Sequence, residues 1–392
     1  MLSLEENQLL TQVGPGTPAG HLLRRYWQAI APAVELTETK PKKKVRILGE
    51  DLLLYRDRSG GYGLVGEHCS HRGASLYYGF IEDDGIRCPY HGWKYDACGK
   101  CLEQPFENPA TGFKDKIQHP AYPVEKLAGL LFAYMGPPDK KPFLPKWDLL
   151  VRQDGLKKID VCEVLRCNWL QAMENSVDPT HTYYLHSHTL KLKGSKDYVP
   201  FHYQQLSKID FELVVSPSWA GIQKRRIFAG EGETAEAPHP LIFPNILFVP
   251  VRTGYAMHFR TPIDDLNTAV FQYRFSPTKD GRVPEQPQDP PIEYISTKNP
   301  DGEFHLDHFA SQDHMAWESQ GAVANRDREH LGESDRGIIM FRQLLTEQIR
   351  AVQNGADPIG TNRDPRHDEV IQLIQQGYSA FSFAAARPEE II

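Results

Sequence analysis

Two short stretches, Cys69-Ser70-His71 and Cys88-Pro89-Tyr90-His91, decide how this chain is read, and sixteen residues separate them. Each brings one thiol and one imidazole into a turn. Each is followed closely by glycine, in His71-Arg72-Gly73 and His91-Gly92-Trp93, where a tight turn needs φ values other residues avoid. Two cysteines and two histidines are the wrong complement for an all-cysteine iron–sulfur cluster. They are also a zinc complement. Zinc fingers, however, usually gather their cysteines in one half-site and their histidines in the other, whereas here each turn carries one of each. That division lets the thiolates hold one iron and the imidazoles the other iron of a [2Fe–2S] centre.

A cluster in which two histidines replace two cysteines on one iron is a Rieske centre. Rieske proteins of respiratory complexes carry one more cysteine in each turn, joined as a disulfide. Ala74 and Tyr90 stand at those positions here. Of the other cysteines, Cys98-Gly99-Lys100-Cys101 reads as a hairpin turn with two thiols, since no second Cys or His pair lies near enough to complete a site. Free thiols at Cys98, Cys101, Cys162 and Cys167 suit a reducing, cytoplasmic setting.

The chain has 392 residues, enough for two domains, and a net charge of −7 with both signs interspersed, which argues against nucleic acid as a partner. Met1-Leu2-Ser3-Leu4-Glu5-Glu6 lacks the basic start of a signal peptide, and the longest apolar run, about Leu127 to Gly136, is too short for a membrane span. Residues 1–30 read as two helices around Gly14-Pro15-Gly16, the second near His21 to Ile30. Val45 to Asp57, Gly63 to Glu67, Ile86 to Tyr95 and Leu130 to Met135 have the β-branched and aromatic content of strands. Gly136 to Pro142 is dense in turn formers and reads as the linker, which divides the chain into residues 1–143 and 144–392. Beyond it come a helix from Asn168 to Leu185, strands at Ile246 to Val251 and Ala269 to Ser276, a Pro-rich loop from Pro284 to Pro291, and interrupted helix from Phe309 to Asn354. The fold class is α+β, with an antiparallel sheet and its helices to one side. The run Lys40-Pro41-Lys42-Lys43-Lys44 reads as a solvated loop, with docking of an acidic redox partner as the alternative.

A Rieske cluster moves single electrons and has no open position for substrate, so chemistry needs a second centre. His181 and His186, five residues apart, are the candidates. A regular helix would set them about 140° apart, so joint ligation requires the helix to loosen or end between them. Asp178, three residues before His181, is placed to accept from an imidazole N–H. Two histidines and a carboxylate make the facial triad of non-haem Fe(II) oxygenases, with positions left for O₂. Position alone leaves Asp307, Asp313 and Glu318 open as that carboxylate.

The cluster turns, together with Asp178-x-x-His181-x-x-x-x-His186, Gly14-Pro15-Gly16-Thr17-Pro18, Asn168-Trp169-Leu170-Gln171-Ala172 and Gln312-Asp313 through Glu318-Ser319-Gln320-Gly321, resemble the oxygenase (alpha) component of Rieske non-haem iron aromatic ring-hydroxylating oxygenases, phthalate-dioxygenase-like branch, across nearly the whole chain. The resemblance implies a small antiparallel β Rieske domain followed by a helix-grip (START/Bet v 1-like) catalytic domain. It implies cluster ligands Cys69, His71, Cys88 and His91, and iron ligands His181, His186 and Asp313. His188, His305, His308 and His314 are then surface or supporting histidines. It also implies a homotrimer, or stacked trimers, in which His91 of one subunit meets Asp178 of the next and Asp178 gates electron transfer. Electrons come from a separate NAD(P)H-dependent reductase, in keeping with the lack of a Gly-rich dinucleotide motif here.

Family members act on aromatic carboxylates and aryl ethers, by cis-dihydroxylation or by monooxygenation with demethylation. Arg225, Arg226, Arg252 and Arg260 are candidates to meet an anionic group, and Tyr183, Phe248, Phe259 and Phe271 to form an apolar wall. The competing class is a Rieske-type electron carrier without oxygenation chemistry, which would hold about two irons per chain rather than three.

Overall fold

The computed structural model describes residues 1–194, 206–229, 234–235, 239–251, 253–278, 282–283 and 285–374. Three small antiparallel sheets precede the Gly136–Pro142 linker. Trp27–Pro32 pairs with Leu130–Tyr134, which pairs with Val124–Leu127. Lys42–Ile47, Glu50–Arg56, Tyr62–Gly66 and Ala121–Tyr122 make the second sheet, and Phe80–Glu82, Gly85–Arg87, Lys94–Tyr95 and Cys101–Glu103 the third.

Several expected boundaries move. The stretch expected as one strand from Val45 is a hairpin that turns at Leu48-Gly49, both at positive φ. The second N-terminal helix is Pro18–Leu23, and Trp27–Pro32 is strand rather than helix, because that wholly buried run finds a partner in Leu130–Tyr134. Ile86 to Tyr95 is two strands flanking the Cys88–Trp93 loop. Cys98 to Cys101 is a turn, with Asp96 and Lys100 closing it and Gly99 at φ 79°. The lysine run is half strand, and its charges are occupied: Lys43 pairs with Glu35, Lys44 with Glu67, and Lys42 donates to the Gly79 carbonyl. Of the four lysines only Lys40 is left without a side-chain partner among the described residues, so no cluster of unpaired charge remains there.

After the linker a nine-stranded sheet runs, in spatial order, Leu206–Val215, Ala220–Phe228, His239–Ile242, Ile246–Val251, Gly254–Pro262, Thr268–Pro277, Gly155–Cys162 and Ile292–Ile295, with Thr234–Ala235 on the second strand. Every pairing is antiparallel except the last, which is parallel. Successive side chains alternate between its two faces. One face carries Phe248, Met257, Phe259, Phe271, Tyr273 and Phe275, packed against Trp27, Phe132 and Trp147. The other receives the helices Trp169–Ser176, Phe309–Glu318 and Arg336–Gln353. The N-terminal helices join this second layer, since Leu10, Leu22 and Leu23 share a core with Met173, Phe341 and Leu345.

Trp169–Ser176 is held by polar side chains as much as by packing. Asn168 caps it through Leu170 N–H and donates to the Thr11 and Asp265 carbonyls. Gln171 donates to the carbonyls of Trp317 and Gly321 and accepts from Ala324 N–H. Glu174 takes a two-pronged pair from Arg326 at 2.7 and 2.8 Å and a bond from Arg342 at 2.6 Å, while Arg342 reaches on to Glu329. Burial opposes ionisation of Glu174, yet Arg326 and Arg342 outweigh it and hold its carboxyl below the usual range. Removing one partner of a buried ion pair typically costs about 3–5 kcal/mol. Glu174→Gln should therefore lower unfolding free energy by about that amount in denaturant titration. The wild-type advantage should be present above about pH 4.5 and fade as pH falls through the depressed carboxyl value. A loss under about 1 kcal/mol would mean the network is solvent-relaxed.

Candidate functional site

The two cluster loops are built alike. Gly73 N–H donates to the Cys69 carbonyl at 2.8 Å and Gly92 N–H to the Cys88 carbonyl at 3.1 Å, with the glycines at φ 75° and 71°. Each loop thus curls a thiol and an imidazole toward one point. Cys69 and Cys88 are buried, unlinked and in mutual contact, and burial pushes the Cys88 thiol up. The rings of His71 and His91 lie 4.6 Å apart, and His71 stacks on Trp93 at 4.5 Å. His91 Nδ1 is buried with no hydrogen-bond partner. Two buried, unlinked thiols in contact and a buried ring nitrogen with no partner fit the donor set of a metal cluster. Tyr95 Oη lies 3.1 Å from Cys69 Sγ, and Tyr95 stacks on His119, which bonds Ser70 and the Gly66 carbonyl. Neither Tyr95 nor His119 was legible as part of this site, because both come from β-strand and loop positions with no ligand spacing.

The helix from Asn168 ends at Ser176, and after Pro179 the chain winds as a π-helix, Thr182–His188, with His181 at its start. A π-helix closes i→i+5 bonds, so residues five apart share a side. His181 and His186 therefore face one way, with rings 5.1 Å apart. Asp313, from helix Phe309–Glu318, completes the group: its Oδ1 is 3.3 Å from His186 Nε2 and 3.8 Å from His181 Nε2. The donor atoms of His181, His186 and Asp313 all lie within 4.8 Å of one another, close enough to share one metal ion. Asp313 Oδ1 is buried and makes no hydrogen bond. Burial opposes its charge, but His186 and His181 outweigh that and hold the carboxyl at about 2. The other two carboxylates stand elsewhere, Asp307 exposed and Glu318 paired with Lys298 at 2.6 Å. His305 is bonded to Ser296 and Ser311, His188 is exposed, and His314 packs against Trp317.

The imidazoles are oriented from behind. His181 Nδ1 is 2.5 Å from the main-chain oxygen of Asp178, and the Asp178 carboxylate lies farther, at 3.6 Å. That carboxylate accepts from Thr180 N–H at 2.7 Å and Thr180 Oγ at 2.6 Å. Burial works against its charge, but His181 and Thr180 prevail and set it at about 2. His186 Nδ1 meets Gln312 Oε1 at 2.8 Å, and Gln312 donates to the Leu306 carbonyl at 2.7 Å. Gln312 adjoins Asp313 in sequence, so one helical turn supplies both a candidate ligand and the brace of another.

Two candidate arginines are committed to the helices. Arg260 donates to the Ala172 carbonyl and Ser176 Oγ and lies 4.7 Å over Trp317. Arg226 donates to Thr182 Oγ at 2.8 Å. Arg225 lies on the opposite face of its strand, beside Asp210, and Arg252 is outside the described residues. Phe248, Phe259 and Phe271 do not line this site: strand alternation turns them to the far face, where Phe259 meets Phe132 at 5.4 Å. The near face carries Leu247, His258, Gln272 and Asp160, a single cross-strand row.

Removing an outer hydrogen-bond partner of a metal-ligating histidine typically lowers affinity about 10–100-fold. Metal titration of iron-stripped protein should show that loss for Gln312→Leu, with Gln312→Glu closer to wild type. Equal affinities for all three would remove Gln312 from the site.

Comparison with known proteins agrees with this chemistry. Residues 26–123 match the Rieske [2Fe–2S] domain family and residues 299–376 the family described as LigXa C-terminal domain like. The chain is 41% identical to the 5,5'-dehydrodivanillate O-demethylase oxygenase subunit of Sphingobium sp. (strain NBRC 103272 / SYK-6), over 95% of this chain and 86% of that one. It is 35% identical to the phenoxybenzoate dioxygenase subunit alpha of Ectopseudomonas oleovorans, over 90% and 87%. The fold matches the terminal oxygenase of carbazole 1,9a-dioxygenase from Nocardioides aromaticivorans IC177 with a TM-score of 0.63 at 19% identity, covering 89% of this chain and 98% of that one. Among the described residues no helix is long and apolar enough to cross a membrane. A chain so similar along its length to oxygenase subunits, and carrying the Rieske domain, belongs to the Rieske non-haem iron aromatic ring-hydroxylating oxygenases, enzymes that use a [2Fe–2S] cluster and a mononuclear iron to incorporate O₂.

Proposed function

We propose that this chain is the terminal oxygenase of an aryl-ether O-demethylase, acting on a methoxylated phenol. The observation that carries the reading is the 41% identity, over 95% of the chain, to an oxygenase subunit named for O-demethylation of a divanillate. The overall conversion takes ArOCH₃, O₂, two electrons and two protons to ArOH, formaldehyde and water. A separate NAD(P)H-dependent reductase, with or without a ferredoxin domain, supplies the electrons. Cis-dihydroxylation is the second reading, favoured by the 35% identity to a phenoxybenzoate dioxygenase subunit.

Cys69, His71, Cys88 and His91 hold the Rieske cluster in this proposal, and His181, His186 and Asp313 the mononuclear iron. When bound, the cluster relays single electrons and the iron activates O₂ toward the substrate. The protein's own part is orientation and charge: Asp178 and Gln312 fix the two imidazole rings, and Asp313 supplies one negative charge. His91 and Asp178 are both only partly buried, and Tyr90 and Phe106 beside the cluster loops are exposed. This suits a homotrimer, single or stacked, in which His91 of one copy meets Asp178 of the next.

Asp313→Ala should lower iron from about three to about two per chain while the cluster absorption persists. Three irons in that variant would move the carboxylate elsewhere. Asp178→Asn should keep both metals yet slow single-turnover oxidation of the cluster at least tenfold, and an unchanged rate would remove Asp178 from the electron path. With a surrogate reductase, methoxylated phenols should give one formaldehyde per O₂ consumed. Products that retain the methyl group and gain two oxygens would establish dihydroxylation instead.

A further inference from the structure

The sheet wall that looks toward the helix bearing Asp313 contains two neutral polar side chains with hydrogen-bonding capacity left over. His258 on Gly254–Pro262 and Gln272 on Thr268–Pro277 are directly opposite in register. Paired residues put their side chains on one face, with Cβ atoms about 4.5–5.5 Å apart. Strand alternation gives that face the side chain of Arg260, two residues from His258. Arg260 is seated on Ala172, Ser176 and Trp317, so the face looks onto the helices that flank the metal group. The negative charge of Asp313 is felt at both His258 and Arg260.

The charged neighbours of this pair are committed. Asp160 takes Arg274 and Lys158, Lys224 donates to the Ser176 carbonyl, and Arg226 to Thr182. His258 makes no hydrogen bond to the described residues. Gln272 is 7% exposed, and its only hydrogen bond is a long one, its Oε1 accepting from Arg274 at 3.4 Å, so the amide N–H groups stay unused. His258 is half-buried and the Gln272 amide is not sealed in protein, so the pair presents open donor and acceptor positions side by side on this wall, where a ligand can reach them. Burial, aided by Arg260 and Arg274, pulls the His258 pKa down to about 3, so the ring is neutral and offers one donor and one acceptor. The arginines on this face are engaged, so a carboxylate finds no bidentate fork here. A phenol fits: its O–H donates to the imidazole and its oxygen accepts from the amide.

We infer that His258 and Gln272 form a subsite for the phenolic hydroxyl of the substrate, and so hold an ortho-methoxy group toward the iron. The inference rests on the demethylase reading for the methoxy group alone; recognition of the hydroxyl is tested separately.

The test is equilibrium binding to anaerobic holoenzyme, by calorimetry, of 4-hydroxy-3-methoxybenzoate and of 3-methoxybenzoate, which lacks the hydroxyl. Wild type should prefer the phenol at least about tenfold. His258→Leu should bring the two affinities within about twofold at unchanged iron content. Gln272→Leu should remove part of the preference and stands in if the histidine variant misfolds. Equal affinities in wild type, or a preference that survives both substitutions, would overturn the subsite. Formaldehyde release from the same compounds reads the other proposition: a hydroxyl preference without formaldehyde keeps the subsite and rejects O-demethylation.

Discussion

Everything in the catalytic half depends on making two imidazoles five residues apart look the same way. An α-helix cannot do this, since five residues rotate the side chain well past one turn. The chain solves it by stopping the helix at Ser176, breaking at Pro179 and rewinding as a π-helix over Thr182–His188. Such windings are rare and are found mostly at functional sites, because their looser geometry needs support from outside. Here it comes from Asp178 behind His181, Gln312 behind His186, and Arg226 on Thr182.

The carboxylate of the group comes from far along the chain, with Gln312 and His186 126 positions apart. Their juxtaposition is set by the buried polar frame around Trp169–Ser176. Gln171 ties that helix to the end of the helix bearing Asp313, and Glu174 ties it through Arg326 to Asn7 of the first helix. Directional bonds in a low-dielectric interior tolerate little displacement, so they fix the helices more tightly than apolar packing alone. Arg260 belongs to this frame as well, which is why a residue of plausible substrate-binding type is occupied with the Ala172 carbonyl and the Ser176 hydroxyl.

The cluster loops follow a simpler logic. Two glycines at positive φ, each four residues after its cysteine, close two like turns, one after a strand of each four-stranded sheet, and the shared core of those sheets brings the turns together. The local character of each turn made it readable at once. Tyr95 reaches Cys69 from another sheet, across a core it shares with Val65, Ile86 and Cys88, and that packing is tertiary information.

The α+β class and the antiparallel sheet were legible because strands and turns leave local marks, and the candidate Cys and His donors stood out by spacing and side-chain type. The carboxylate was not, since Asp307, Asp313 and Glu318 differ only in where their helix points them, and the choice of Asp313 came from resemblance until the fold brought it beside His181 and His186. The aromatic wall was misread for a related reason. Phe248, Phe259 and Phe271 have the right character, but a strand gives alternate residues to opposite faces, and only pairing with Trp27 and Phe132 decides which face is which. Composition names the donors; the register of the sheet and the rewinding of one helix decide which of them meet.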